Sequence, residues 1–309
     1  MRKVLRVLRN IILGLLVMIL IILAGVFVYH RIKISQEKVY LKNVPGQMVE
    51  VDGHKMHVYL EGQGEHTLVF MSGWADISPY TNFLPMAKDL SDENKIVIIE
   101  KFGYGFSDVV PGKRDFDTII ENDREALRKL GIEGPFVLCP HSYSGFEATL
   151  WAQKYPEEVE GIVGMDMSVT SWRESYVEDA NCIFYPIYRV CRGLGITRLE
   201  GADLETEEDK MLYALIEKKE MNKNVLSENK SAGKVCDEID SMPLPTAPTI
   251  QIISKELAEM DPEGWIGGHQ ALVDASVDGK LIKLDCGHYV YMDELNRVVK
   301  EIREFLKAL

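Results

Sequence analysis

From residue 11 to residue 29 the chain carries no charged side chain and consists almost wholly of Ile, Leu, Val and small residues. No other stretch restricts the backbone so strongly. In hydrocarbon every amide and carbonyl must be satisfied within the segment itself, which leaves the α-helix. Nineteen residues, rising about 1.5 Å each, match a hydrocarbon core about 30 Å thick. Arg2, Lys3, Arg6 and Arg9 precede the run. The expectation is a cytoplasmic tail over 1–10 and an uncleaved transmembrane helix over 11–29, although Arg31, Lys33, Lys38 and Lys42 on the far side weaken the charge asymmetry. A signal peptide cut near Ala24-Gly25 is the competing reading, and the run is longer than the usual signal core.

After a polar linker over 30–45, residues 46–309 read as one α/β domain. The apolar content, 46%, suits a full core, and a formal charge of -13 argues against a nucleic-acid surface. The five cysteines follow no metal-ligand spacing, and no metal or organic cofactor is implied; Cys182 and Cys191 would pair only in an oxidising compartment. Asp52-Gly53 between two alternating runs signals a hairpin. Apolar runs at 66–71, 95–99, 135–139, 161–165, 249–253 and 281–284 then alternate with helical patterns, among them 79–90 and a helix closed by Gly131. That rhythm points to a mostly parallel, doubly wound sheet. Gly103 and Gly105 lack the third glycine of a dinucleotide loop. Between 168 and 245 the rhythm breaks into a charged, helical insert carrying Trp172, Tyr176, Phe184, Tyr185 and Tyr188. It reads as a lid, with Trp172, Phe184 and Tyr188 as candidate pocket residues; the plainer account is that these aromatics hold the insert onto the body.

The strand at 135–139 runs through Pro140-His141 into Ser142, and a helical pattern follows. A strand-to-helix turn pushes a serine hydroxyl outward, where a carbonyl substrate can reach it; a helix-capping serine is the structural alternative. A hydroxyl needs a base, and the base needs a third group to orient it. Of the seven histidines, His288 alone follows a late strand through Gly287 and precedes the terminal helix. His141 reads as packing beside its strand, and His30, His54, His57, His66 and His269 as structural. Glu256, just past the strand at 249–253, is the first candidate acid. Asp261, a turn further on, and Asp166, after the strand at 161–165, are alternatives. Tyr143, at the start of the helix, offers an amide to an oxyanion, and the Gly73-Trp74 turn offers a second.

Met71-Ser72-Gly73-Trp74, the run from Glu100 to Ser107, His141-Ser142-Tyr143-Ser144-Gly145 and Gly287-His288 together resemble the α/β-hydrolase superfamily in its lid-bearing branch. Ser72, Glu100, Pro140 and Ser144 stand where that family usually has His, Asp, Gly and Gly. The resemblance implies Ser142 as nucleophile, His288 as base, Glu256 as acid, and Trp74 with Tyr143 as oxyanion donors. Serine at the elbow disfavours the dehalogenase and epoxide hydrolase relatives, which use a carboxylate there. The expected function is a membrane-anchored serine hydrolase acting on a small-molecule ester, with its catalytic domain outside the cytoplasm. Two readings compete with it. One is an aminopeptidase resembling the proline iminopeptidases, in which Glu174, Glu178 or Asp179 would bind the amine of a short peptide. The other is a catalytically silent binding protein that kept the fold.

Overall fold

The computed structural model describes residues 2–202 and 204–309. Helix α1 (Arg2–Glu37) runs through the uncharged stretch and beyond it, and a 3-10 turn, Lys38–Leu41, follows. Asp52 and Gly53 then take positive φ, 51° and 74°, as a two-residue hairpin loop requires. They join β1 (Gln47–Val51) to β2 (His54–Glu61), with Val51 opposite His54. Strands and helices alternate from there: β3 (Thr67–Met71), α2 (Pro79–Leu90), β4 (Lys95–Glu100), α3 (Phe116–Lys129), β5 (Phe136–Pro140), α4 (Ser144–Lys154) and β6 (Val159–Met165). A helical insert follows, made of α5 (Arg173–Ala180), α6 (Phe184–Leu194), α7 (Glu207–Lys219), α8 (Lys223–Asn229) and α9 (Ala232–Asp240). The chain closes with β7 (Thr249–Ser254), α10 (Lys255–Met260), α11 (Gly267–Ala275), β8 (Gly279–Leu284), α12 (Val290–Asp293) and α13 (Leu295–Leu306).

The eight strands form one sheet in the order β1-β2-β4-β3-β5-β6-β7-β8. β1 and β2 pair antiparallel, β2 pairs antiparallel with β4, and every other pairing is parallel. Side chains alternate across the sheet, so β3 feeds two cores. Val69 and Met71 meet Phe116, Ile120 and Leu127 of α3 and Phe146, Leu150 and Trp151 of α4. Leu68 and Phe70 meet Phe83, Met86 and Leu90 of α2 and Val298, Ile302 and Phe305 of α13. Each such side chain contributes about 1.5–3 kcal/mol by leaving water, and truncating Phe146 to Ala would cost about 3–5 kcal/mol. Because β3 to β8 pair in parallel, their C-terminal ends lie along one rim.

The chain divides into two units, Met1–Asn43 with Ile183–Glu220, and Val44–Cys182 with Met221–Leu309. The insert expected over 168–245 therefore contributes to both. Cys182 and Cys191 fall in different units, and both are free thiols, so the pairing considered from sequence is not formed. In the smaller unit α1 is long and apolar enough to cross a membrane, and its apolar window, of mean hydropathy 3.3, is unburied. Below that window the unit is held by charge: the Arg198 guanidinium donates to Glu37 at 2.6 and 2.9 Å and lies 3.1 Å from Glu217.

Candidate active site

The site begins where β5 ends. Ser142 has φ 54°, in the left-handed region that a non-glycine residue enters at a cost of about 1–3 kcal/mol. That backbone turns the chain sharply from strand into α4, and its neighbours fit it closely. A Cβ on Gly73 would lie 2.8 Å from the Ser142 Cβ and 3.2 Å from its Oγ, so only glycine lets the loop after β3 approach the hydroxyl. A Cβ on Gly145 would strike the Ser168 backbone, whose amide donates to the Ser142 carbonyl at 2.7 Å. The two replaced glycines are accommodated. Pro140 is the buried last residue of β5, paired with Met71. Ser144 is small enough to be buried, and its hydroxyl lies 2.7 Å from the Met71 carbonyl.

Tyr143 precedes the first turn of α4, where the helix dipole favours negative charge. Among the described residues nothing accepts from its amide. Its hydroxyl donates to Asn229 Oδ1 at 2.7 Å, and Asn229 Nδ2 donates to Asp179 Oδ2 at 3.1 Å. Trp74 Nε1 donates to the Val225 carbonyl at 2.8 Å, so α5 and α8 steady the two residues expected to supply oxyanion donors.

His288 lies in the loop after β8, and its Nδ1 donates to Asp166 Oδ2 at 2.7 Å. This pairing differs from the expectation from sequence, in which Glu256 faced the ring. Glu256 Oε2 instead accepts from the His288 backbone amide at 3.0 Å. The reason is local: Ser254 caps α10 by accepting from the Leu257 amide, so Glu256 falls within the first turn of that helix. Asp261 accepts from Trp172 Nε1 at 2.7 Å and from the Gly264 amide at 2.9 Å. Asp166 is fully buried, with φ 46°, and its second oxygen accepts from the Ser254 amide and from Trp265 Nε1, each at 2.9 Å. Burial alone would raise its pKa. The hydrogen bond and charge of His288, with the Ser254 amide, outweigh that and hold it below the ordinary carboxylate value.

His141 stacks on His288 at a ring separation of 4.7 Å and its Nε2 lies 3.2 Å from the His288 carbonyl. Burial, and then the proximity of His288, lowers its pKa to about 3, so it is a neutral spacer. Among the described residues no hydrogen bond joins Ser142 to the His288 ring; in unliganded enzymes this contact often tightens only with substrate. Of the aromatics named from sequence, Trp172 stacks on Trp265 at 4.5 Å. Phe184 and Tyr188 belong to the smaller unit: Phe184 is exposed, and the Tyr188 hydroxyl donates to Glu220 at 3.1 Å. Glu174, Glu178 and Asp179 are exposed on α5. No group of three or more His, Cys, Asp or Glu among the described residues could hold a metal.

Residues 66–181 match the family model described as alpha/beta hydrolase fold. Two solved structures align over most of their length. An esterase from Thermogutta terrifontis is 21% identical with a TM-score of 0.64, covering 85% of this chain and 99% of that one. An epoxide hydrolase from Bacillus megaterium is 17% identical with a TM-score of 0.66, covering 84% and 100%. This chain has the α/β-hydrolase fold. The uncharacterized protein YbdG of Bacillus subtilis is 40% identical over 176 residues, covering 57% of this chain and 54% of that protein. A cis-3-alkyl-4-alkyloxetan-2-one decarboxylase of Shewanella oneidensis is 31% identical over 116 residues, 36% of this chain and 35% of the other. The chain thus spans about half or less of the length of the curated relatives it matches.

Within this α/β-hydrolase fold one cluster lay outside the sequence reading. Lys101 Nζ is buried beneath the loop after β3. It donates to the Ser72 carbonyl at 3.2 Å and to Glu228 at 2.6 Å, and lies 3.4 Å from Glu147. The Tyr104 hydroxyl donates to Glu228 at 2.7 Å and accepts from the Ala75 amide at 3.3 Å. Burial opposes the charge on Lys101, but Glu228 and then Glu147 more than offset it, and its pKa is raised. The cluster pins the loop after β3 to α8. Lys101 and Tyr104 fall in the run from Glu100 to Ser107, but nothing local pairs them with Glu228, which is far away in sequence.

Proposed function

We propose that this chain is a membrane-anchored serine hydrolase that cleaves a carboxylic ester through an acyl-enzyme. The observation that carries the reading is the contact of the His288 ring with a buried carboxylate on the rim that also holds the strained serine: Nδ1 donates to Asp166 at 2.7 Å, which leaves Nε2 as the acceptor. Ser142 Oγ attacks the ester carbonyl while its proton passes to His288 Nε2, and ionised Asp166 balances the imidazolium. The amides of Trp74 and Tyr143 meet the developing oxyanion, each worth about 3 kcal/mol in comparable sites. Collapse expels the alcohol, which takes the proton from Nε2. Water, deprotonated by the same nitrogen, then releases the acid and restores Ser142. Asp166 is the orienting acid in this scheme, with Glu256 supporting the His288 backbone and Asp261 the insert.

The insert serves as a lid that sets the substrate, and residues 11–29 as an uncleaved anchor with its N-terminus cytoplasmic. A serine at the elbow separates this reading from carboxylate-nucleophile chemistry, although several structural neighbours bear the name epoxide hydrolase. Hydrolysis of nitrophenyl esters of graded acyl length, set beside aminoacyl arylamides, tests it. Ester turnover is expected, falling about 10⁴–10⁶-fold in Ser142→Ala and His288→Ala. Faster turnover of the arylamides would favour the aminopeptidase reading, and no turnover of either by the wild type the silent one.

A further inference from the structure

Helix α6 has its charged side turned inward. Buried Arg192 lies with Nη1 2.9 Å from Glu220 and Nη2 3.3 Å from Glu217, and Tyr188 donates to Glu220 on the same side. Ile183, Ile187 and Val190, spaced to share the opposite face, are 73%, 55% and 60% exposed, and Phe184 beside them is 67% exposed. A contiguous apolar face of this kind marks a contact surface rather than the ordinary scatter of exposed residues.

What covers it follows from where the helix ends. Gly195, with φ 79°, caps α6, and a Cβ there would overlap the His30 side chain. His30 is the residue immediately after the uncharged run of α1. Arg198, in the next turn, fixes the same junction by donating from Nε to His30 Nδ1 at 3.2 Å. The end of α6 is therefore held at the level where an apolar span would leave hydrocarbon for the head groups. We propose that α6 is an interfacial helix, lying in the membrane that α1 crosses, with Ile183, Phe184, Ile187 and Val190 in the acyl boundary and exposed Arg189 reaching toward anionic head groups. This rests on reading residues 11–29 as a bilayer span.

The test uses the full chain in phosphatidylcholine bilayers, with and without lipids brominated on the acyl chain, which quench nearby indoles. Three variants are compared with the wild type: Ile187→Trp, Leu16→Trp within the uncharged run, and Glu208→Trp. Glu208 is exposed in the first turn of α7; Lys210, in that helix, lies over the Tyr40 ring at 5.9 Å, well past the apolar run. The four native tryptophans, Trp74, Trp151, Trp172 and Trp265, all lie in the other unit and form a common background. Quenching of the added signal in Leu16→Trp and Ile187→Trp, each several-fold stronger than in Glu208→Trp, is expected. Quenching at Leu16→Trp with none beyond the control at Ile187→Trp would overturn the proposal and leave the span standing, including the case in which a second copy covers the face. No quenching at Leu16→Trp would overturn both. Fluorophosphonate labelling of Ser142 in the same samples reports on the hydrolase reading separately.

Discussion

Asp166 accepts from His288 Nδ1, the Ser254 amide and Trp265 Nε1 while fully buried. Neutralising it removes the group that fixes the imidazole, so Asp166→Asn should lower ester turnover about 10⁴-fold. Glu256→Gln keeps an acceptor for the His288 amide and should cost less than about tenfold; steady-state kinetics of the two variants separates their roles. The lowered pKa of Asp166 also has a pH signature. Its contribution to stability is complete above the unfolded carboxylate value, about 3.9, and is lost only as pH falls through the lower folded value. The Tm gap between wild type and Asp166→Asn should therefore be constant from pH 7 to pH 5 and shrink toward pH 3; a gap that closes by pH 5 would contradict the assignment. In sequence Asp166 and Glu256 look alike, each a carboxylate after a buried strand. What distinguishes them is non-local: β6 lies beside β7, and a positive φ turns Asp166 toward the ring, whereas Glu256 is drawn into α10 by the Ser254 cap.

The loop after β3 and the elbow after β5 depend on each other for their shape. Gly73→Ala would put a methyl 2.8 Å from the Ser142 Cβ. Turnover should fall about 10²-fold or more from misplacement of the hydroxyl, with a near-native circular dichroism spectrum. Beneath the loop, Lys101→Met leaves Glu228 and Glu147 buried without their cation and should destabilise by about 3–5 kcal/mol, with part recovered in the double variant with Glu228→Gln; denaturant titration measures both. These elements differ in how far they could be read ahead. The hairpin at Asp52-Gly53, the helix over 79–90, the alternation of strands and helices from β3 onward, and the serine and histidine at strand ends all rest on local chemistry. The Lys101 cluster rests on contacts between residues far apart in sequence. Lys101 lies in the run from Glu100 to Ser107, but nothing local there points to Glu228.

At the scale of the whole molecule, the insert resolves into two parts that sequence read as one, because residues 183–220 group with the N-terminal helix while the rest belongs to the unit that carries the sheet. Charge explains the grouping: Glu217 answers Arg192 and Arg198 together, and Arg198 also answers Glu37. None of these residues lies in a recognisable motif. If α1 is an uncleaved anchor, protein isolated from membranes should retain residues 1–24 by intact mass and resist extraction at alkaline pH, whereas a cleaved chain would be lighter and released. The central claim concerns the hydroxyl at the end of β5, and it is tested most directly by intact-protein and peptide mass spectrometry after treatment with a fluorophosphonate. The account predicts a single adduct on the peptide containing Ser142 in the wild type, absent from Ser142→Ala and formed far more slowly in His288→Ala. A wild-type protein that stays unmodified while a control esterase reacts, or an adduct that persists in Ser142→Ala, would contradict it.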